Sequence, residues 1–338
     1  MRLVNRTKIA VERVITMDGT GREVLLVLAK ATYDARTDPP RLADAQIPIQ
    51  MADEYEGEPG ASCVRLASDL ALFKPAADVI LLGHARPRRR GDTQVDVVLR
   101  VGSLGKTVRV LGDRRFQKTL FGYKISRPVP LERVPLTFAR AYGGSDTSTR
   151  KPAYCAENPA GTGFRLPRSK ADLEDVPAPN LEYPGRGLRR PSAKGRPAAF
   201  GFVAPSWRPR VDYAGTYDDA WFEHRMPLLP DDFDPRFNQT APPDQILGGF
   251  LKGGERVRVT GVSDQGELAF TVPRERPTAV VRLGAERLEP ELVCDTLVID
   301  ADRAVFTLVW RGTVAVHGRL DELEWVKVEH PLGACDEV

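Results

Sequence analysis

The stretch between Tyr217 and Asp244 holds the side chains best suited to chemistry. Asp218, Asp219, Glu223, Asp231, Asp232 and Asp234 surround His224 there. Paired carboxylates can act as acid and base on a glycosidic bond or bind a hard cation. Yet Asp231-Asp232-Phe233-Asp234 runs straight into Pro235, and aspartates beside prolines are ordinary turn chemistry. The turn reading is the stronger. His84, His317 and His330 have no partner at metal spacing. Cys63, Cys155, Cys294 and Cys335 are far apart and form no CxxC, so neither a zinc cluster nor a disulfide framework is expected. No GxGxxG or GxxxxGKS/T exists to cradle a phosphate. Val101-Gly102-Ser103-Leu104-Gly105 lacks the first glycine of a nucleophile elbow and sits in a hairpin. Arg86, Arg88, Arg89 and Arg90 are broken by Pro87 and carry no interleaved aromatics, so they read as a solvated loop. The sequence predicts no catalytic residue, no metal and no cofactor.

A β framework must position whatever these residues do. Val95, Val97, Leu99 and Val101 alternate with Asp96, Val98 and Arg100, the period of a strand. Glycines at 102 and 105 break the run before Val108 and Val110 resume it, a hairpin signature. Residues 23–33 and 78–83 suit buried strands. A second hairpin is expected at 256–272 around Ser263-Asp264-Gln265-Gly266, followed by strands at 279–283, 296–300 and 304–311. Helix signals are confined to Ser68-Asp69 ahead of 70–73 and to 320–325. The spacing predicts an all-β fold, with antiparallel β-sandwich-like lobes at 1–145 and 246–338.

A chain of 338 residues, 42% hydrophobic and 28% charged, has the composition of a soluble globular protein with a large core. The longest apolar run, 24–29, is six residues, too short for a membrane span. Arg2, Arg6, Lys8, Glu12 and Arg13 occupy the start with no apolar h-region. A cytoplasmic protein without membrane partners is therefore expected. The middle, 146–245, is different. Residues 151–243 hold 15 of the 28 prolines, which excludes long helices or central strands. They also hold Phe164, Tyr183, Phe200, Phe202, Trp207, Tyr213, Tyr217, Trp221, Phe222, Phe233 and Phe237. Disordered tracts are poor in aromatics, so this segment is expected to be ordered, irregular and pinned on the core, with 180–194 as a mobile loop.

Net charge is only +3, which argues against nucleic acid as a partner. Its distribution is uneven. Residues 181–210 carry seven Lys/Arg against Glu182, whereas 217–244 carry seven acids against Arg225 and Arg236. Opposite blocks can meet inside one fold or face a partner; the internal meeting is the favoured expectation.

An ordered series of motifs runs through the middle. It includes Gly112-Asp113-Arg114-Arg115-Phe116, Ala139-Arg140-Ala141-Tyr142-Gly143-Gly144, Asn158-Pro159-Ala160-Gly161-Thr162-Gly163-Phe164 and Ala199-Phe200-Gly201-Phe202. Trp207-Arg208-Pro209-Arg210, Gly215-Thr216-Tyr217-Asp218, the stretch from Pro227 to Asp234, Phe237-Asn238, residues 241–245 and Gly253-Gly254-Glu255 follow. The series resembles the adaptor family encoded beside VgrG, PAAR and effector genes in bacterial type VI secretion clusters, first catalogued as a domain of unknown function. The resemblance covers roughly residues 20–312. It departs at Phe116, where the family pattern has tryptophan, and at a basic insert over 188–196. It implies a chaperone-like adaptor that holds an effector's N-terminal region and loads it onto the VgrG–PAAR spike. The implied partners are the effector and the spike proteins.

Such a protein needs anchors rather than a nucleophile. Trp, Tyr and Arg dominate interface hot spots, which singles out Trp207, Arg208, Arg210, Tyr217, Trp221, Arg225, Phe233, Arg236 and Phe237 as candidate protein-binding residues. The same residues suit internal pins, Trp207 and Trp221 above all. Two other readings stay open: a hydrolase using Asp218, Glu223, Asp231 or Asp234, and a carbohydrate-binding β-sandwich, either acting on cell-wall material.

Overall fold

The apolar run at 24–29 lies in the longest strand, Glu23–Asp34. Successive side chains of a strand point to opposite faces. Leu25, Val27, Ala29, Ala31 and Tyr33 enter the main core, while Leu26 and Leu28 join Val309 in a smaller cluster on the other face. A strand covered on both faces reads as a continuous apolar run. This strand is second in a six-stranded sheet ordered Ala10–Met17, Glu23–Asp34, Val305–Ala315, Val293–Asp300 and Asp78–Leu82, with Arg41–Leu42 added beside Glu23–Asp34.

A computed structural model describes residues 1–263 and 266–331. Strands take up 41% of the chain and helices 7%, which makes the fold all-β. Both expected hairpins form. Gln94–Val101 pairs with Leu104–Leu111, and Arg256–Ser263 with Gly266–Thr271; Asp264 and Gln265 of the second turn lie outside the described residues. The two hairpins join edge to edge, and Leu181–Glu182 completes a five-stranded sheet. A four-stranded sheet combines Arg2–Arg6, Leu323–Glu329, Thr278–Leu283 and Glu286–Leu288. All three sheets thus combine strands from 1–145 with strands from 246–338.

Pairing is mostly antiparallel, but Asp78–Leu82 runs parallel to Val293–Asp300 and Arg2–Arg6 parallel to Leu323–Glu329. Sequence periodicity carries no sign of strand direction, because it reports burial and not partners. The six- and five-stranded sheets share one core. Phe270 of the latter stacks on Phe306 of the former at 4.1 Å, and Phe306 stacks in turn on Tyr33 at 5.1 Å. Residues 70–73 form no helix; the Asp69 carboxylate is taken by Lys30 at 2.8 Å and the Gln50 N–H at 2.7 Å. Leu320–Glu322 is a single 3-10 turn before the last strand.

The proline-rich middle lies on and through this core. Ala198, Ala199, Phe200, Phe202, Val203, Ala204 and Trp207 are buried. Phe200 N–H donates to Leu136 O at 3.1 Å, and Leu81 N–H donates to Phe200 O at 3.3 Å. Residues 180–194 are also tied down: Asn180 is buried, and Ser192 N–H donates to Gly163 O at 3.1 Å. Several buried charges are paired, which offsets their desolvation. Arg311 grips Asp295 and donates to the Ala71 carbonyl, and Lys74 meets Asp78 at 2.8 Å.

Candidate functional site

The outer face of the six-stranded sheet is only partly covered, and there the fold leaves a groove. Val14, Thr16 and Met17 of the terminal strand and Leu26 of its neighbour form the floor. Residues 70–73 make one wall; Arg225, Leu229, Pro230, Phe233 and Phe237 make the other. The groove encloses about 550 Å³. Met17, Phe73 and Leu229 remain exposed beside it. Three of the nine candidate residues, Arg225, Phe233 and Phe237, are brought together at this wall.

Local chemistry builds that wall. Asp218 caps the six-residue helix Asp219–His224 by accepting from Trp221 N–H at 2.9 Å. Trp221 is half-buried, with its indole N–H on Leu228 O at 2.8 Å and Tyr217 edge-on at 4.7 Å. Arg225 donates to Leu229 O at 2.9 Å and to Gly19 O, and lies 3.1 Å from Asp231. It thereby ties the wall to the turn after the terminal strand. Asp234 caps the 3-10 turn Pro235–Asn238 and holds Arg236, whose guanidinium lies over Tyr213 at 4.3 Å. Phe233 and Phe237 meet edge to face at 5.7 Å.

The remaining candidates go elsewhere. Trp207 is fully buried, its indole N–H on Gly60 O at 3.1 Å and its ring edge-on to Phe138. Arg210 is buried, donating to Val203 O at 2.7 Å and Phe237 O at 2.9 Å; burial lowers its pKa. Arg208 is exposed and lies 3.1 Å from Asp212.

The acidic residues act as caps and local partners. Hydrogen bonds from the backbone and hydroxyl of Thr216 hold Asp232 below the usual carboxylate range, and those from the side chain and backbone of Arg236 do the same for Asp234. His224 is exposed beside Glu223, and His84 Nδ1 lies 2.6 Å from Asp302. Among the described residues, no cluster of three or more His, Cys, Asp or Glu could hold a metal. Cys63, Cys155 and Cys294 are free and buried, and Cys335 lies outside the described residues. Burial pushes the Cys63 thiol up to about 12 and the Cys155 thiol up to about 11.

Sequence reasoning missed a buried cation beneath the middle segment. Lys106 donates to Ala199 O, to Asp244 at 2.8 Å and to Gln245 Oε1 at 2.7 Å. Gln245 donates onward to Val79 O and Phe200 O, and Tyr183 donates to Asp244 at 2.7 Å. Burial drops the Lys106 pKa to about 8. The signal was present: Lys106 shares the face of Val108 and Val110, both fully buried.

The motif series proves largely to be backbone engineering. Asn158 is fully buried and donates to Phe138 O and Tyr142 O at 2.8 and 2.9 Å. A Cβ on Gly143 would sit 2.1 Å from Asn158 O, so Tyr142–Gly143 can lie beside Thr162–Gly163 only as glycine-bearing strands.

Fold and site define an all-β protein with an apolar groove on a sheet face and no acid–base cluster inside it. The family model of uncharacterized proteins conserved in bacteria (DUF2169) matches residues 20–311, and the chain belongs to that family. Neither a curated protein nor a solved structure matches it. Among the described residues, no helix is long and apolar enough to cross a membrane.

Proposed function

We propose that this chain is a non-enzymatic adaptor, which holds the N-terminal region of a type VI secretion effector and helps to load it onto the VgrG–PAAR spike. The observation that carries the reading is the groove of about 550 Å³ beside the terminal strand Ala10–Met17. An extended cargo segment can add main-chain hydrogen bonds to a terminal strand while its apolar side chains enter an adjacent groove. Phe233, Phe237 and Arg225 are the anchors, with Trp221 on the adjoining helix and Tyr217 just before its cap. The effector and spike assignment rests on the ordered motifs. A hydrolase at Asp218 or Asp234 has less support, because both carboxylates are spent on caps.

The test is tagged co-purification with the proteins encoded beside this chain. The adaptor reading expects stoichiometric recovery of one neighbour through its N-terminal region, lost in Phe233→Asp with the circular dichroism spectrum intact. Recovery of no neighbour by a folded protein, or equal recovery by Phe233→Asp, overturns the reading or its site respectively.

A further inference from the structure

Among the described residues, no salt bridge joins the two charge blocks, although Asp244 lines one cleft with Arg196 and Arg208. The acids of 217–244 are taken up by local caps, by Arg225 and Arg236, and by Lys106. On the basic side, Arg114 holds Glu182 and Arg208 holds Asp212. Arg186, Arg189, Arg190, Lys194 and Arg196 are exposed, and among the described residues none has a carboxylate within 4.0 Å. All five line one cleft of about 240 Å³. Its single acid, Glu182, is already neutralised by Arg114 at 3.2 Å.

The loop carrying these cations is shaped by the fold. A Cβ on Gly195 would stand 2.5 Å from the Tyr142 ring, and one on Gly187 would stand 2.4 Å from the Glu182 carboxylate. Tyr142 OH donates to Ser192 O at 2.9 Å, and Arg165 N–H donates to the same carbonyl at 3.1 Å. Gly195 and Arg196 also line a second cleft of about 390 Å³, which continues past Tyr183, Pro197, Pro242 and Arg208. The two clefts share Gly195 and Arg196 and form one trench; its second part also holds Glu157 and Asp244, the latter paired with Lys106 at 2.8 Å, so the surplus of cations lies in the first part.

Holding five like charges together costs free energy unless an anion shares the site. Arginine forks suit carboxylate and phosphate oxygens alike. Length and lining choose between them. The trench runs over two clefts that share Gly195 and Arg196, and its aromatic rings are spent: Tyr142 is buried, and the Tyr183 ring is covered by Arg196 at 4.8 Å. Single-stranded nucleic acid needs open aromatic faces for base stacking. A polypeptide with acidic and small apolar side chains needs only the cations and the walls.

We propose that this trench binds an extended acidic segment of the protein the adaptor carries. The inference rests on the adaptor reading but uses a different surface from the groove.

The experiment titrates the full chain into a short fluorescein-labelled glutamate-rich peptide and follows anisotropy at two salt concentrations. The matched glutamine peptide and a single-stranded oligonucleotide of equal charge serve as competitors. Expected are salt-sensitive binding of the glutamate peptide only, and a loss of about tenfold or more in R189E/R190E. The exposed positions of both arginines leave the fold of that variant intact, checked by its thermal transition. Equal binding by R189E/R190E, or tighter binding of the oligonucleotide, overturns the proposal. Co-purification with the neighbouring proteins separates the two failures. If wild type and R189E/R190E recover the same partner equally, the trench assignment fails and the adaptor reading stands. If no partner is recovered while peptide binding stays sensitive to R189E/R190E, the adaptor reading fails and the anion site remains.

Discussion

Residues 198–212 and 217–238 come from the same proline- and aromatic-rich stretch and use the same alphabet, yet they meet opposite fates. The first sends Phe200, Phe202, Val203, Trp207 and Arg210 into the interior. The second leaves Tyr217, Phe222, Met226 and Leu229 at the surface. The difference lies in where each finds hydrogen-bond partners. In 217–238, Asp218, Asp231 and Asp234 cap turns or pair with arginines within about six residues, and Asp232 takes Thr216 just upstream. Apart from Arg225 and Asn238, which reach Gly19 O and Phe73 O, the polar groups of that segment are met locally at the surface. In 198–212, the polar atoms of Trp207 and Arg210 reach Gly60, Val203 and Phe237. The Gly60 and Phe237 carbonyls lie far along the chain, and they satisfy these atoms only if the segment is buried. An interface anchor and an internal pin thus differ in the range of their partners more than in residue type.

This contrast can be broken in order of size. Trp207→Ala opens a cavity under the middle segment and should cost about 3–5 kcal/mol in urea unfolding. Trp221→Ala, half-buried and held locally, should cost less than half as much. Equal costs would erase the distinction. Arg210→Ala removes two charge-assisted hydrogen bonds to buried carbonyls and should cost about 2–3 kcal/mol, while Arg236→Ala, at the surface, should cost less than about 1 kcal/mol. A comparable loss in both would show that Arg236 is a pin.

Lys106 ties the start of the buried segment, at Ala199 O, to Asp244 and Gln245, and its titration is the third test. Its folded pKa, about 8, lies below the value of 10.5 for the free side chain. Between these values the unfolded chain binds more protons, so this group makes stability rise with pH, by up to about 1.4 kcal/mol per pH unit. Buried thiols and tyrosines with raised pKa values pull the other way above pH 9. The quantity to measure is therefore the stability of wild type minus that of Lys106→Met from pH 7.5 to 10. A flat difference would mean that Lys106 titrates as it does in water. Asp234→Ala, which loses one cap and one surface pair, should cost about 1 kcal/mol. Calorimetry of this variant should show a slightly lower Tm with an unchanged transition shape.

The strands, both hairpins and the ordered character of the middle segment were legible in the sequence, because period-2 burial and turn residues are local signals. Arg225, Phe233 and Phe237 were legible as candidates for the same reason: they sit among recognisable turn and cap residues. The other half of their groove was not. Val14, Met17 and Phe73 are apolar side chains that any strand or loop could bury, and nothing local says that cover is missing. The charge blocks misled for a related reason, since Asp218, Asp231 and Asp234 find partners a few residues away and Asp244 is taken by Lys106, a residue no local pattern joins to it.

What the sequence by itself determined is thus the all-β class, the absence of sequence motifs for a nucleotide or metal site, and the turn chemistry around Asp231 to Asp234. These depend on contacts within a few residues. Only the tertiary structure decided that Glu23–Asp34 pairs with Val305–Ala315 and Gln94–Val101 with Arg256–Ser263. It likewise decided that Trp207 is a pin, and that five arginines and lysines face outward with no carboxylate within 4.0 Å among the described residues. Each of these depends on which distant backbone or carboxylate comes close, and proximity across two hundred residues is set by the packing of the whole core.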